Sequence, residues 1–159
     1  MIFVVLGTQK FQLNRLLKLM DEYVEIGKIK EEVIAQRGNS DYVPKNFRSF
    51  DFLDKDTFDS YIKKADIVVT HSGVGSIITS LKSRKPVIVF PRLRKYGEHV
   101  DDHQLDIATA FEKKNYVLCC KEQDDLLKLL LQCKEKKFEE YISQREQVVS
   151  TIMKYLESN

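Results

Sequence analysis

All three histidines of the chain, His71, His99 and His103, fall in two segments that follow apolar runs: THSGVGSI over 70–77 and PRLRKYGEHVDDHQ over 91–104. Imidazoles beside glycines, serines and carboxylates suit either proton transfer or recognition of an anion. A metal site would need HExxH or paired-cysteine spacing. Neither is present, and Cys119, Cys120 and Cys133 form no CxxC, so neither a metal nor a cofactor is expected. The run His71-Ser72-Gly73-Val74-Gly75-Ser76 sets small side chains where a helix begins. Unpaired backbone donors and the helix dipole favour a diphosphate there, although a purely structural glycine turn would be spelled the same way. The GxG lacks the Walker lysine and does not follow the first strand as GxGxxG, which disfavours P-loop and NAD-binding readings, and the first-strand turn Gly7-Thr8-Gln9-Lys10 does not support a flavodoxin-like one. Gly7-Thr8 and Gln36-Arg37-Gly38, each after an apolar run, offer close backbone approach and hydrogen bonds to the same crevice. Arg92, Arg94 and Lys95 can neutralise phosphate, and Glu98 and His99 are chemically suited to act as a general base.

Loops of this kind need strands to hold them. Short β-branched runs at Ile2–Leu6, Glu32–Gln36, Asp66–Thr70, Pro86–Phe90 and Tyr116–Cys120, with a further strand at Phe47–Phe52, alternate with amphipathic stretches. Helices are predicted over Phe11–Ile26, Asp54–Lys64, Gly75–Arg84, Val100–Lys114 and Asp124–Leu131. This alternation predicts an α/β fold, a doubly wound, Rossmann-like parallel sheet whose ligands lie beyond the carboxyl ends of its strands. The domain should span 1–135. A last helix over Phe138–Leu156, with apolar residues at helical spacing, either folds back on the sheet or docks on a partner.

Composition narrows the partners. With 159 residues, 43% of them hydrophobic, the chain can bury one core. Its 26 Lys and Arg balance 24 Asp and Glu without blocks, so no nucleic acid is expected. The odd, unspaced cysteines suit a reducing compartment. The N-terminal MIFVVLG lacks a basic signal region, and no apolar run approaches the ~20 residues of a membrane span, so a cytoplasmic setting is expected.

THSGVGSI, KPVIVFPRLRKYGEHVDDHQ over 85–104 and the opening FVVLGT together resemble a glycosyltransferase family. It comprises the catalytic subunits of the PssE and EpsF kind that build bacterial capsule and exopolysaccharide, within the family 28 C-terminal domain. They are similar to the catalytic subunit of the eukaryotic enzyme adding the second N-acetylglucosamine to dolichol-linked oligosaccharide, and more distantly to the donor lobe of the peptidoglycan N-acetylglucosaminyltransferase. The resemblance runs from Met1 to about Cys120. It implies a single C-terminal donor lobe of a GT-B enzyme that binds a UDP-sugar without metal. A membrane-anchored companion subunit would supply the acceptor lobe, holding the chain peripherally at the inner face of the membrane. The acceptor implied is an undecaprenyl-diphosphate-linked saccharide, and galactose the sugar transferred. By matching motif positions, Gly73, Val74, Gly75 and Ser76 meet the diphosphate with Gly7 and Thr8 beneath it, Gln36 and Gly38 lie near the nucleotide, and Asp102, His103 and Gln104 lie near the sugar; His71, Ser72 and Arg92 are further donor-site candidates. Thr79 stands where relatives carry a ribose-binding glutamate. The base is Glu98, His99 or a group on the companion. A non-catalytic, nucleotide-sensing subunit is the alternative, consistent with Thr79.

Overall fold

The strands Ile2–Val5 (β1), Val33–Gln36 (β2) and Ile67–Thr70 (β4) are buried at every position, as a parallel sheet covered on both faces requires of its central strands. The computed structural model describes residues 1–143. Arg48–Phe50 (β3), Val87–Val89 (β5) and Leu118–Cys119 (β6) complete a six-stranded sheet of order β3-β2-β1-β4-β5-β6. Every pairing is parallel, with Phe3 opposite Ile34 on one side and Val68 on the other. The chain winds away from β1 in one direction and returns to lay β4 against its other edge, so the loops after β1 and β4 part and leave a crevice.

Alternation along the strands divides the core. Ile2, Val4 and Leu6 face the helices Asn14–Glu25 (α1) and Leu126–Glu135 (α5) through Leu16, Leu17, Met20, Leu126 and Leu130. Phe3 and Val5 face Lys55–Lys64 (α2), Val74–Lys82 (α3) and His103–Lys113 (α4) through Ile62, Ile77, Leu81 and Ala108. The predicted doubly wound fold is therefore the one observed.

The boundaries differ where backbone groups have other partners. The first helix was expected from Phe11 but begins at Asn14, because the carbonyls of Phe11 and Gln12 accept hydrogen bonds from Arg92. The helix expected from Val100 begins at His103, whose N–H donates to Asp101 Oδ1. Phe138–Ser143 is not helical. Phe138 packs on one face of the core and Tyr141 on the other, its ring 5.5 Å from that of Tyr116. This part of the segment thus folds back on its own domain. The remainder of the expected helix, 144–156, lies outside the described residues.

One buried carboxylate organises the connection between β2 and β3. Asp21 of α1, 3% exposed, accepts hydrogen bonds from Tyr42 Oη at 2.7 Å, Lys45 N at 2.9 Å and Asn46 N at 2.8 Å. Burial alone would raise its pKa, but these bonds outweigh it and hold the carboxyl below the usual value. Asp21→Ala leaves the Lys45 and Asn46 donors without their partner and should cost about 2–3 kcal/mol in urea unfolding at pH 7. Because the folded pKa is depressed, that difference between wild type and variant is present above the unfolded pKa. It should shrink as the pH falls below about 4.

Candidate functional site

Residues from three strand ends converge on the crevice. A cleft of ≈ 560 Å³ is lined by Gly7, Thr8 and Gln9 after β1, by Gln36 at the end of β2, and by His71 with the first turn of α3. Of the residues expected from the sequence, Gly7, Thr8, Gln36, His71, Gly73, Val74, Gly75, Ser76 and Thr79 are all on this lining. The N–H groups of Val74, Gly75 and Ser76 open α3 and have no intrahelical acceptor, so they and the helix dipole present positive potential to the cleft. Gln36 is buried, its Oε1 accepting from Leu53 N at 3.1 Å. Leu53, Lys55 and Phe58 complete the wall. None of these three, nor Gln9, was singled out in the sequence, although Lys55 opens the helix after β3 and so obeys the same strand-end rule.

His71 forms the floor. Its ring lies between the backbones of Gly7 and Gly73: a Cβ on Gly7 would sit 2.4 Å from Nε2, and one on Gly73 2.2 Å from Cε1. Nδ1 accepts from Gly73 N at 3.0 Å and lies 2.9 Å from Arg92 Nη1. Burial, then the Arg92 charge, pushes its pKa down to about 3, so the imidazole is neutral. Nη1 and the Gly73 N–H can only donate, so Nδ1 is the acceptor and the ring proton resides on Nε2, 3.3 Å from Ser76 Oγ.

The other expected residues lie elsewhere, each for a visible reason. Arg92, expected to meet phosphate, is 0% exposed. Its guanidinium donates to Leu6 O at 2.8 Å, Phe11 O at 3.0 Å and Gln12 O at 3.3 Å. Burial lowers its pKa to about 10, so it remains charged at neutral pH. Ser72 is wholly buried beneath the cleft, and its Oγ has no hydrogen-bond partner among the described residues. Gly38 (φ +58°) packs its backbone against Gly7, where a Cβ would meet Gly7 O at 2.5 Å; it shapes the cleft from behind. Gln104 is also buried, its Oε1 accepting from Ser72 N at 3.3 Å and Arg92 N at 3.1 Å. It latches α4 to the ends of β4 and β5 and does not line the cleft.

Glu98 is corrected as a candidate base. Arg15 Nε reaches its Oε1 and Arg15 Nη2 its Oε2, both at 2.9 Å, and Leu93 N donates to Oε2 at 3.0 Å. The carboxylate is 6% exposed and holds the 91–98 loop in shape. Asp102 Oδ1 accepts from Arg94 N at 2.9 Å, and His103 is exposed beside Asp101 and Asp106. Neither lines the cleft. His99 packs on Phe11 with ring centres 4.5 Å apart, and its Nδ1 lies 3.0 Å from Asp101 Oδ1. It neighbours the loop after β1 but is not on the cleft lining. A larger opening of ≈ 730 Å³ between α1 and the loop after β6 is lined by Arg15, Lys121 and Glu122. Their charges are already paired, with Glu98, Glu112 and Lys95 respectively.

A Rossmann-like sheet with an anion-oriented helix terminus at its switch point is an architecture suited to a phosphate-bearing ligand. The chain belongs to glycosyltransferase family 28: the glycosyltransferase family 28 C-terminal domain matches residues 1–156. It is similar to the human UDP-N-acetylglucosamine transferase subunit ALG13, 30% identical over 128 residues, which are 75% of this chain and 11% of that protein. The Saccharomyces cerevisiae subunit of the same name is 39% identical over 72 residues, 45% of this chain and 33% of that one. The chain thus spans only about a tenth of the length of the mammalian relatives it matches. Among solved structures, an ALG13 solution structure superposes with a TM-score of 0.59 at 20% identity, covering 95% of this chain and 93% of that one. Acinetobacter baumannii MurG gives 0.52 at 13% identity, over 94% of this chain and 40% of that one. These likenesses define the fold as a single C-terminal lobe of the GT-B type.

The packing of His71 makes two neighbouring glycines behave oppositely. Gly73→Ala must displace the ring and should lower stability by about 2 kcal/mol. Gly75→Ala meets nothing within 4 Å and should be neutral, or stabilising by about 0.5 kcal/mol. Thermal unfolding of the two variants checks the contrast.

Proposed function

We propose that the chain is the donor-binding, catalytic subunit of a two-component, metal-independent UDP-sugar glycosyltransferase. The single observation that carries this reading is the cleft at the β1/β4 switch, lined by the three first-turn amides of α3 and by His71, whose Nε2 contacts Ser76 Oγ on the same wall. The diphosphate of UDP lies on α3, and the base extends toward Leu53 and Phe58. The acceptor hydroxyl attacks the anomeric carbon while the bond from that carbon to the diphosphate oxygen breaks. UDP leaves with the electron pair, its charge taken up by the amides and dipole of α3. A base accepts the hydroxyl proton. His99, paired through Nδ1 with Asp101, is this chain's candidate, and a group on the companion is the other.

The described fold is one lobe and a GT-B cleft needs two; on the resemblance to catalytic subunits of the PssE and EpsF kind, a companion subunit provides the acceptor side. We place the complex at the cytoplasmic face of a membrane, with the companion as its anchor. No helix among the described residues is long and apolar enough to cross a membrane. The acceptor is an undecaprenyl-diphosphate-linked saccharide, as in capsule and exopolysaccharide assembly of the PssE and EpsF kind. Galactose is the sugar on that resemblance; the relatives' names instead carry N-acetylglucosamine. The apolar spacing of the segment ending at Leu156 suits docking on the companion.

Thr79 favours a second reading, a nucleotide sensor without turnover. Its Oγ1 donates to Gly75 O at 2.8 Å, leaving a ribose only the hydroxyl's acceptor side.

Calorimetry should show UDP binding in preference to GDP and NAD. With the companion co-expressed, UDP-galactose, UDP-glucose and UDP-N-acetylglucosamine should be compared as donors, with and without EDTA. Transfer from one of them that survives EDTA is expected; nucleotide binding without transfer would favour the sensor. In the same assay His99→Ala should lower kcat on the order of 10²-fold with donor affinity retained. Truncation after Ser143 should abolish co-purification with the companion.

A further inference from the structure

Arg92 is the largest fully buried side chain in the described structure, and none of its hydrogen-bond partners is a carboxylate. Enclosing a guanidinium in that way is costly. Three of its contacts are carbonyls of the loop after β1; the fourth is His71 Nδ1. We propose that Arg92 is a positioning residue for donor binding, whose buried guanidinium, with the Gly73 N–H, holds His71 as the neutral tautomer with its Nε2 proton directed at Ser76 Oγ on the cleft wall. This rests on the reading of the cleft as a diphosphate site.

The geometry permits no other arrangement. Gly73 N and Arg92 Nη1 both place hydrogens at Nδ1, and neither can accept one. Rotation of the ring is blocked by the backbones of Gly7 and Gly73. The remaining ring nitrogen therefore donates, and Ser76 Oγ, accepting from it, directs its own hydroxyl hydrogen away from His71 and toward the cleft. One side-chain donor, the Ser76 hydroxyl, then stands beside the α3 amides, oriented by the imidazole behind it. The ionisable groups around this unit are Glu98, already paired with Arg15, and His99 on the far side of Phe11.

The test is long-range ¹H–¹⁵N spectroscopy of the imidazoles in the intact chain from pH 8 to pH 5, before and after addition of UDP. The Nε2–H pattern is expected for His71 throughout, with its Nε2 signal moving on UDP addition. An Nδ1 proton, or titration to imidazolium within that range, would overturn the proposal. Arg92→Lys keeps the charge but cannot reach His71 and the carbonyls together. It should leave only Gly73 N at 3.0 Å and Gln104 Nε2 at 3.4 Å beside Nδ1, admit the other tautomer as a minor population and weaken UDP binding about tenfold. A folded Arg92→Lys chain with wild-type tautomer and affinity would also overturn it. Should that variant not fold, the wild-type spectra decide by themselves. Absence of UDP binding to the wild-type chain would remove the diphosphate reading and this role with it, whereas UDP bound over an Nδ1–H imidazole would remove only the role of Arg92.

Discussion

Reversal of the winding direction between β1 and β4 creates the crevice on which everything else depends. Adjacent strands whose connections leave to opposite sides expose their carboxyl ends, and the gap beneath must be closed without losing the opening above. The imidazole of His71 closes it, packed so closely against two glycines that a Cβ on either would overlap the ring. The guanidinium of Arg92 reaches from the end of β5 and ties the loop after β1 to that ring. Two side chains and the backbone of the loop after β1 thereby become one rigid floor, and rigidity is what preorganised charge stabilisation requires.

A second charged unit shapes the neighbouring wall. Arg15 of α1 lies between the rings of Phe90 and Tyr96, at 4.4 and 4.7 Å from their centres, and clamps both oxygens of Glu98. That pair bends the loop after β5 so that Arg92 points inward and the His99–Asp101 pair stands beside Phe11. The carboxylate best placed in sequence for proton transfer is thus used to build the loop. The histidine next to it is the base that the proposed function assigns to this chain.

Local signals in the chain were sufficient for the strands, because β-branched runs such as IFVV and IVVT are buried on both faces and admit little else. The same reasoning placed the glycine-rich turn correctly at the head of α3. It could not anticipate partners distant in sequence. Arg15 and Glu98 are 83 residues apart, and a buried arginine reads like any phosphate-binding one until its acceptors are known. Gln104 resembled a sugar contact for the same reason, its amide being turned toward Ser72 and Arg92 by the packing of α4. Phe138 and Tyr141 have helical spacing, but each finds a different face of the core, which straightens the chain there. The backbone amides that line the cleft leave no mark in side-chain chemistry beyond the small residues that expose them.

Backbone amide chemical shifts of the ¹⁵N-labelled chain, recorded through a titration with UDP, test the central claim most directly. Saturable shifts centred on Gly7, Val74, Gly75 and Ser76, with smaller ones at Lys55 and Phe58, are the expected result. Shifts confined to Lys121–Asp124 and α1, or none at millimolar UDP with or without the companion subunit, would contradict it.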